Sequence, residues 1–157
     1  MESFRGRYTN KIDAKGRVSV PAKFRAIALG QGSNGVVCFP SFLSPCVEGG
    51  GQKLAHEIDE MLERLDPFSE NADALAAVLM GDSYDIGFDS DGRIVLPEEL
   101  RAHAGITDRV TFVGMGRKFQ LWEPEAYETF RADALERARS AGDLLKPVPK
   151  AKGEAGE

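Results

Sequence analysis

Histidine and cysteine are scarce in this 157-residue chain, which contains two of each. His56 and His103 stand alone, and Cys38 and Cys46 do not form a C-x-x-C pair. A zinc site needs about four clustered ligands, so we expect no metal site and no cofactor. We expect the two thiols to be reduced and packed, with a disulfide between them as the less favoured alternative.

Long apolar runs are absent as well. No stretch approaches the roughly 20 residues of a membrane-spanning helix, and the opening MESFRGRYTNK lacks the apolar core of a secretory signal. We therefore expect a cytoplasmic protein with no membrane partner. The spacing of the polar residues supports no Ser-His-Asp or Cys-His arrangement, and there is no P-loop. We expect no phosphate-cradling glycine loop, no catalytic residue and no enzyme.

Basic residues are fewer than acidic ones, and the net charge of −5 argues against general nucleic-acid binding. The distribution of charge leads to a different expectation. Residues 1–29 carry a local charge of +5, whereas the rest of the chain carries −10. A basic face on an acidic body can attract phosphate, although ordinary solvated surface charges would give the same numbers.

The strongest positive feature is an internal repeat. Residues 13–25, DAKGRVSVPAKFR, align without gaps with residues 89–101, DSDGRIVLPEELR, at an offset of 76. Five positions are identical, and three further positions are apolar in both copies. Each copy is too small to bury a core alone, so we expect the two copies to share one core through interleaved strands.

Each copy predicts a hairpin turn, a strand and a short helix. The Asp-x-x-Gly spacing is typical of a tight turn in which aspartate accepts backbone N–H bonds and glycine adopts a positive φ. A strand follows the turn, and a proline then ends the strand at a position that suits the start of a helix. The residues concerned are Asp13, Gly16 and Pro21 in the first copy, and Asp89, Gly92 and Pro97 in the second.

Apolar spacing predicts further helices over 52–65, 71–80 and 124–141. We expect Gly49–Gly51 to be a flexible link. The expected fold class is α+β, with a pseudo-twofold, barrel-like β core, short helices and additional helices. The predicted organisation is a first repeat at 4–51, linking helices at 52–81, a second repeat at 82–126, a C-terminal helix at 127–141 and a flexible tail at 142–157.

The two motifs and the opening FRGRYTNKIDAKGRVSVPAKFR resemble the MraZ family of bacterial regulators over residues 4–141. They resemble, more loosely, the swapped-hairpin AbrB-like DNA-binding fold. The resemblance implies two swapped-hairpin repeats in one chain and a ring-like homo-oligomer. It also implies binding to short direct repeats of double-stranded DNA, in the promoter of the division and cell-wall gene cluster that includes the family's own gene. The expected protein is a nucleoid-associated transcriptional regulator.

The resemblance places DNA contact on the arginines of two D-x-x-x-R motifs, which are Arg17 and Arg93 here, with Asp13 and Asp89 as their partners. Arginine can make a bidentate contact with guanine O6 and N7. A salt bridge that only forms the turn is the alternative, and both can hold. Phosphate contacts are expected from three further residues, with solvated charge as the alternative for each: Lys15, Arg5 and Arg7.

The two copies differ in charge near the turn. Asp91 stands where the first copy has Lys15, and a carboxylate there would repel phosphate. The following helix begins with Glu98 and Glu99 instead of Ala22 and Lys23. We therefore expect the second copy to bind DNA less strongly than the first.

Two further predictions concern residues outside base contact. Gly16 and Gly92 are expected to support the motif through backbone conformation alone, and Arg25 and Arg101 are expected to be structural.

The alternative function is an AbrB-fold protein-interaction module that resembles an antitoxin. Such chains carry an extended tail, whereas the aromatic residues of 122–130 indicate a folded C-terminal region.

Overall fold

A computed structural model describes residues 2–146 as a mixed α+β protein. The chain forms two compact units, one ending at Pro124 and the other beginning at Glu125. The strands are β1 (Arg7–Lys11), β2 (Arg17–Ser19), β3 (Gly35–Pro40), β4 (Val47–Gly50), β5 (Tyr84–Gly87), β6 (Arg93–Val95), β7 (Arg109–Gly114) and β8 (Phe119–Trp122). The α-helices are α1 (Ala22–Gly30), α2 (Gln52–Glu63), α3 (Glu70–Ala76), α4 (Glu98–Ala104) and α5 (Pro124–Ala141).

Six strands form one antiparallel sheet in the order β1-β7-β8-β4-β3-β5. The sheet ends at β1 and β5, so the barrel-like core expected from the sequence is not a closed barrel. The physical reason is that β2 and β6, of three residues each, pair with each other in a separate two-stranded ribbon. Within residues 2–146, no further strand joins the two edges of the larger sheet.

The strands of the two copies interleave, as the repeat predicted. The first strand of each copy pairs with the third strand of the other copy, β1 with β7 and β5 with β3. When each strand is exchanged for its equivalent in the other copy, the order of the sheet reads the same from the opposite edge. In the ribbon, Val18 pairs with Ile94, its own equivalent at the offset of 76. The pseudo-twofold relation therefore passes between these two residues.

One apolar cluster contains the matched positions of both copies. These side chains are at most 2% exposed: Val18, Val20, Phe24, Ile94, Leu96 and Leu100. The Phe24 ring lies at the centre, with the rings of Phe4 and Phe119 each 5.3 Å away between centroids. Each such side chain contributes about 1.5–3 kcal/mol when it is fully buried. Since neither copy supplies the whole cluster, the two copies stabilise each other.

The Gly49–Gly51 segment is not the flexible link that the sequence predicted. Gly49 and Gly50 lie in the buried strand β4, which was not predicted from the sequence. A Cβ atom on Gly49 would lie 2.4 Å from the Phe119 ring, and one on Gly50 would lie 2.6 Å from Cδ2 of Leu54. Glycine is used here so that a ring and a helix can pack directly on the strand.

The remaining helices follow the predicted periods with small differences at their ends. The helix expected over 71–80 is α3 followed by a π-helical turn, Ala77–Gly81. In the second unit, α5 is followed by a 3-10 turn, Gly142–Leu145. The rest of the tail predicted to be flexible, residues 147–157, lies outside the described residues.

Among residues 2–146, no helix combines the length and the apolar composition needed to span a bilayer.

Cys38 and Cys46 are buried and are not joined by a disulfide. Burial raises the pKa of the Cys38 thiol to about 12, so this thiol stays protonated and unreactive near neutral pH.

Candidate nucleic-acid interface

The first D-x-x-x-R motif is a closed turn between β1 and β2. The Gly16 N–H donates to the Asp13 carbonyl over 3.0 Å, and the Asp13 N–H donates to the Arg17 carbonyl over 3.0 Å. The Asp13 Oδ1 atom also accepts the N–H groups of Lys15 and Arg17, at 3.0 and 2.9 Å. Gly16 has a φ of +89°, a conformation that glycine adopts without steric cost. The aspartate, glycine and arginine of the motif are therefore spaced as the hydrogen bonds of this turn require.

The same aspartate orients the arginine side chain. The Nε of Arg17 donates to Oδ2 of Asp13 over 2.6 Å. The pKa of Asp13 lies below its ordinary value because the backbone N–H of Arg17 donates to the carboxylate, and the guanidinium adds to the effect. The terminal Nη groups of Arg17 have no partner among the described residues, and the side chain is partly exposed. The salt bridge predicted as an alternative therefore exists, and it leaves the bidentate edge of Arg17 unoccupied.

The second motif repeats this geometry at Asp89 and Arg93. The Nε of Arg93 donates to Oδ2 of Asp89 over 2.9 Å, and Oδ1 accepts the backbone N–H groups of Asp91 and Arg93 at 2.8 and 2.9 Å. The pKa of Asp89 is lowered first by the backbone N–H of Arg93. One contact has no counterpart in the first turn: Nη2 of Arg93 lies 3.5 Å from Oδ2 of Asp91. Two carboxylates hold Arg93, whereas one holds Arg17.

Both arginines lie on one face of the β2–β6 ribbon. Arg17 pairs with Val95 and Arg93 pairs with Ser19, and side chains two residues apart in a strand share a face. Val18 and Ile94 occupy the opposite, buried face. Arg17 and Arg93 are diagonal neighbours, so their Cα atoms are about 7–8 Å apart. The ribbon thus presents both arginines on the same exposed face.

Each turn rests on an arginine from the other copy. Arg25 donates from Nη1 to the Val20 carbonyl over 2.9 Å, and its guanidinium lies 2.4 Å from the place where a Cβ on Gly92 would be. Arg101 donates from Nε to the Leu96 carbonyl over 3.0 Å and lies under Gly16 in the same way, at 3.3 Å. The sequence predicted these arginines to be structural, and they act through backbone carbonyls.

The predicted phosphate contacts fall in two places. Lys15 is exposed in the first turn, two residues from Arg17. Arg7 is the first residue of β1 and pairs with Val113, and Arg5 lies two residues before this strand. Six residues of extended chain separate Arg7 from the turn, which is about 20 Å. The structure therefore brings Lys15 to the arginine face and leaves Arg5 and Arg7 at a distance from it.

Two further residues of this face, Ser19 and Val95, were not predicted from the sequence. Both are exposed, and they alternate with the buried Val18 and Ile94. This period of two was visible in the sequence, but the face on which each residue lies depends on the pairing of β2 with β6. A polar contact also supports the ribbon from β1, since the Asn10 side-chain amide donates to the Ser19 carbonyl over 2.8 Å.

Metal binding and phosphate binding by a glycine loop have less support in the described part of the chain. Residues 2–146 contain no group of three His, Cys, Asp or Glu side chains that could hold a metal ion. The glycines of 30–35 do have the spacing G-x-G-x-x-G, contrary to the expectation that no such loop is present. This segment runs from helix α1 to strand β3, whereas the dinucleotide-binding loop runs from a strand to a helix. The spacing therefore lacks the context that phosphate binding requires.

Comparison with known proteins supports the resemblance to the MraZ family. The family model described as "MraZ protein, putative antitoxin-like" matches residues 79–144. The protein named "Transcriptional regulator MraZ" in Parvibaculum lavamentivorans is 57% identical over 147 residues, which cover 93% of this chain and 91% of the relative. Proteins of the same name in Xanthobacter autotrophicus and Gluconobacter oxydans are 46% and 45% identical, and the matches cover 88% and 94% of this chain and 88% and 92% of those relatives.

Proposed function

The chain belongs to the MraZ family and is a DNA-binding transcriptional regulator, and from this premise we propose that the β2–β6 ribbon is the element that contacts DNA. One observation carries the proposal: Arg17 and Arg93 are diagonal neighbours on the exposed face of a two-stranded ribbon. The major groove, about 12 Å wide, admits such a ribbon. No enzymatic activity and no cofactor are part of this proposal.

In this arrangement the arginines contact bases and the lysine contacts the backbone. The terminal nitrogens of Arg17 and Arg93 donate to guanine O6 and N7, while Asp13 and Asp89 hold the guanidinium groups in place through Nε. Lys15 lies beside Arg17 and contacts phosphate, which positions the protein without specifying sequence. Arg5 and Arg7, about 20 Å away along β1, contact phosphates outside the groove that the ribbon enters.

We propose that the fold is two swapped-hairpin AbrB-like repeats in one chain. The pairing of β1 with β7 and of β5 with β3 supports this proposal, because the first strand of each copy lies in the half of the sheet that belongs to the other copy. Under this proposal the first repeat spans 4–51, the linking helices 52–81 and the second repeat 82–126, and the C-terminal helix expected at 127–141 is α5, which begins at Pro124.

We further propose that the protein acts as a ring-like homo-oligomer on short direct repeats. One ribbon makes few base contacts, and several joined ribbons on adjacent repeats raise the effective concentration of each. An apolar groove of about 740 Å³, between α2 and the loop after β3, supports self-association, since Phe42 and Leu43 at its rim are 57% and 78% exposed. The proposed target is the promoter of the division and cell-wall gene cluster, in the cytoplasmic nucleoid.

The test begins with selection of bound duplexes from a random pool, followed by gel-shift titration of the selected DNA. We expect Arg17→Ala to abolish specific binding, because a bidentate arginine contributes about 1–3 kcal/mol of discrimination at each ribbon. The matched control is Arg137→Ala, which removes an exposed arginine paired with Asp133 and is expected to leave affinity unchanged.

Two outcomes would contradict these proposals. Unchanged affinity in Arg17→Ala would reject its role in base contact. Wild-type protein that prefers no duplex at low ionic strength would reject DNA recognition by the ribbon and favour the antitoxin-like interaction module. Light scattering of the same samples reports the assembly, and the mass of a single chain would contradict the oligomer.

A further inference from the structure

The exposed face of the β2–β6 ribbon is not the same around its two arginines. Val95 is 52% exposed and lies opposite Arg17. Its equivalent in the first copy is Ser19, which lies opposite Arg93. The two arginines therefore have equivalent turns but different cross-strand neighbours, one apolar and one polar.

We propose that Val95 is a specificity-determining residue that contacts the C5 methyl group of a thymine next to the base pair contacted by Arg17. The inference rests on the proposed function of the ribbon. Thymine is the one base that presents a methyl group in the major groove, and apolar side chains recognise it there. The Ser19 hydroxyl can donate or accept, so it accommodates any base beside Arg93.

The spacing of the ribbon agrees with the spacing of DNA. Residues directly opposite in an antiparallel pair have Cβ atoms about 4.5–5.5 Å apart, and successive base pairs are about 3.4 Å apart. Val95 therefore faces a base pair one or two steps from the one that Arg17 contacts. A valine side chain has no long reach, so the thymine must be an immediate neighbour.

The difference between Val95 and Ser19 makes the two orientations of the ribbon on a DNA site unequal. With identical side chains in both copies, the pseudo-twofold relation would let the ribbon bind one site equally well in either orientation. The exchange of Lys15 for Asp91 changes attraction to phosphates, which carry no sequence information, and it weakens the base contact of Arg93 by competition, but it does not change which base an arginine prefers. The exchange of Ser19 for Val95 changes contacts to bases, and therefore makes the preferred sequence asymmetric.

A purely structural role for Val95 has different consequences. Valine is favoured in strands, and single exposed apolar residues are common on protein surfaces. In that case substitution would change the stability of the fold and leave the preference among bases unaltered. Base preference and stability must therefore be measured separately.

The decisive probe is the duplex selected by the wild-type protein, with each thymine replaced in turn by deoxyuridine, which lacks only the methyl group. We expect one replacement, beside the guanine contacted by Arg17, to weaken wild-type binding about fourfold, as expected for burial of one methyl-sized group at about 0.8 kcal/mol. Val95→Ser is expected to bind the thymine and deoxyuridine duplexes equally, with an unchanged thermal unfolding midpoint.

The exchange variant, Ser19→Val with Val95→Ser, provides the matched control because it keeps the composition of the ribbon. We expect it to select a thymine on the Arg93 side instead. Wild-type protein that selects a sequence but is insensitive to deoxyuridine at every position would overturn the inference and leave the proposed function standing. Wild-type protein that selects no sequence would overturn the proposed function itself.

Discussion

The two arginines of the ribbon differ in what holds them in place. Arg17 is held by Asp13 through Nε. Arg93 is held by Asp89 through Nε and approached by Asp91 at Nη2. A base edge that binds Arg93 must therefore compete with a second carboxylate. At the scale of single residues, this competition is the physical basis for unequal roles of the two copies.

We predict that Arg93→Ala weakens specific binding less than Arg17→Ala. Asp91→Lys should strengthen binding, because it removes the competing carboxylate and adds a phosphate contact. In the Asp91→Lys background, the cost of Arg93→Ala should rise toward the cost of Arg17→Ala. Fluorescence anisotropy with the selected duplex measures all these affinities.

The reciprocal variant tests the same idea from the other turn. Lys15→Asp places a carboxylate beside Arg17 and should weaken binding. Equal losses in Arg17→Ala and Arg93→Ala, together with no gain from Asp91→Lys, would show that Asp91 does not limit the second copy.

The turns owe their rigidity to the opposite copy. The Leu96 N–H donates to the Gly16 carbonyl over 2.7 Å, and the Val20 N–H donates to the Gly92 carbonyl over 3.2 Å. Arg101 and Arg25 lie under the same two glycines. At the scale of elements, each hairpin is therefore completed by the ribbon strand and the helix of its partner copy, and the arginine face cannot form in one copy alone.

Substitution of the turn glycines should show this dependence. Gly16→Ala is expected to lower the free energy of unfolding by about 1–2 kcal/mol, because alanine disfavours the positive φ at this position. The loss should be larger still because the new Cβ would lie 2.7 Å from the Leu96 backbone oxygen. Gly32→Ala is the matched control, since Gly32 has the same φ of +89° but open space around it. Urea denaturation measures both variants, and equal losses would mean that contact with Leu96 contributes nothing.

Charge is segregated along the whole chain. The first 29 residues have a net positive charge and the remainder has a net negative charge. Lys15 and Arg17, from the positive segment, lie in the first turn and on the exposed face of the ribbon. An acidic body disfavours binding in other orientations, while the ribbon attracts phosphate locally. The negative net charge is therefore compatible with recognition of DNA by one face.

At this scale we predict a steep loss of affinity with salt. The logarithm of the binding constant should fall linearly with the logarithm of salt concentration, because each neutralised phosphate releases counterions. Lys15→Ala should reduce the slope by about 1 for each ribbon bound. Lys53→Ala, which removes an exposed lysine on α2, should leave the slope unchanged. A flat salt response in the wild type would contradict phosphate contact by the basic residues.

Much of the fold was predictable from local patterns. The turns at Asp13–Gly16 and Asp89–Gly92 follow from aspartate and glycine chemistry, and α5 begins at Pro124 as predicted. The strand β4 was missed because its VEGG sequence resembles a linker more than a strand. Gly49 is explained by Phe119, which approaches from the second copy, and Gly50 by Leu54 on the helix that follows β4.

The sequence by itself determined the repeat, which is visible as matching residues, and the two hydrogen-bonded turns with the arginine that ends each motif, because each turn depends on residues within about four positions of one another. The tertiary structure decided which strands pair, that the β sheet stays open, and that Arg17, Arg93 and Val95 share one face. Those features depend on contacts between the two copies, which join residues from 46 positions apart (Cys38 with Tyr84) to 106 positions apart (Arg7 with Val113), and local propensity carries no information about such pairings.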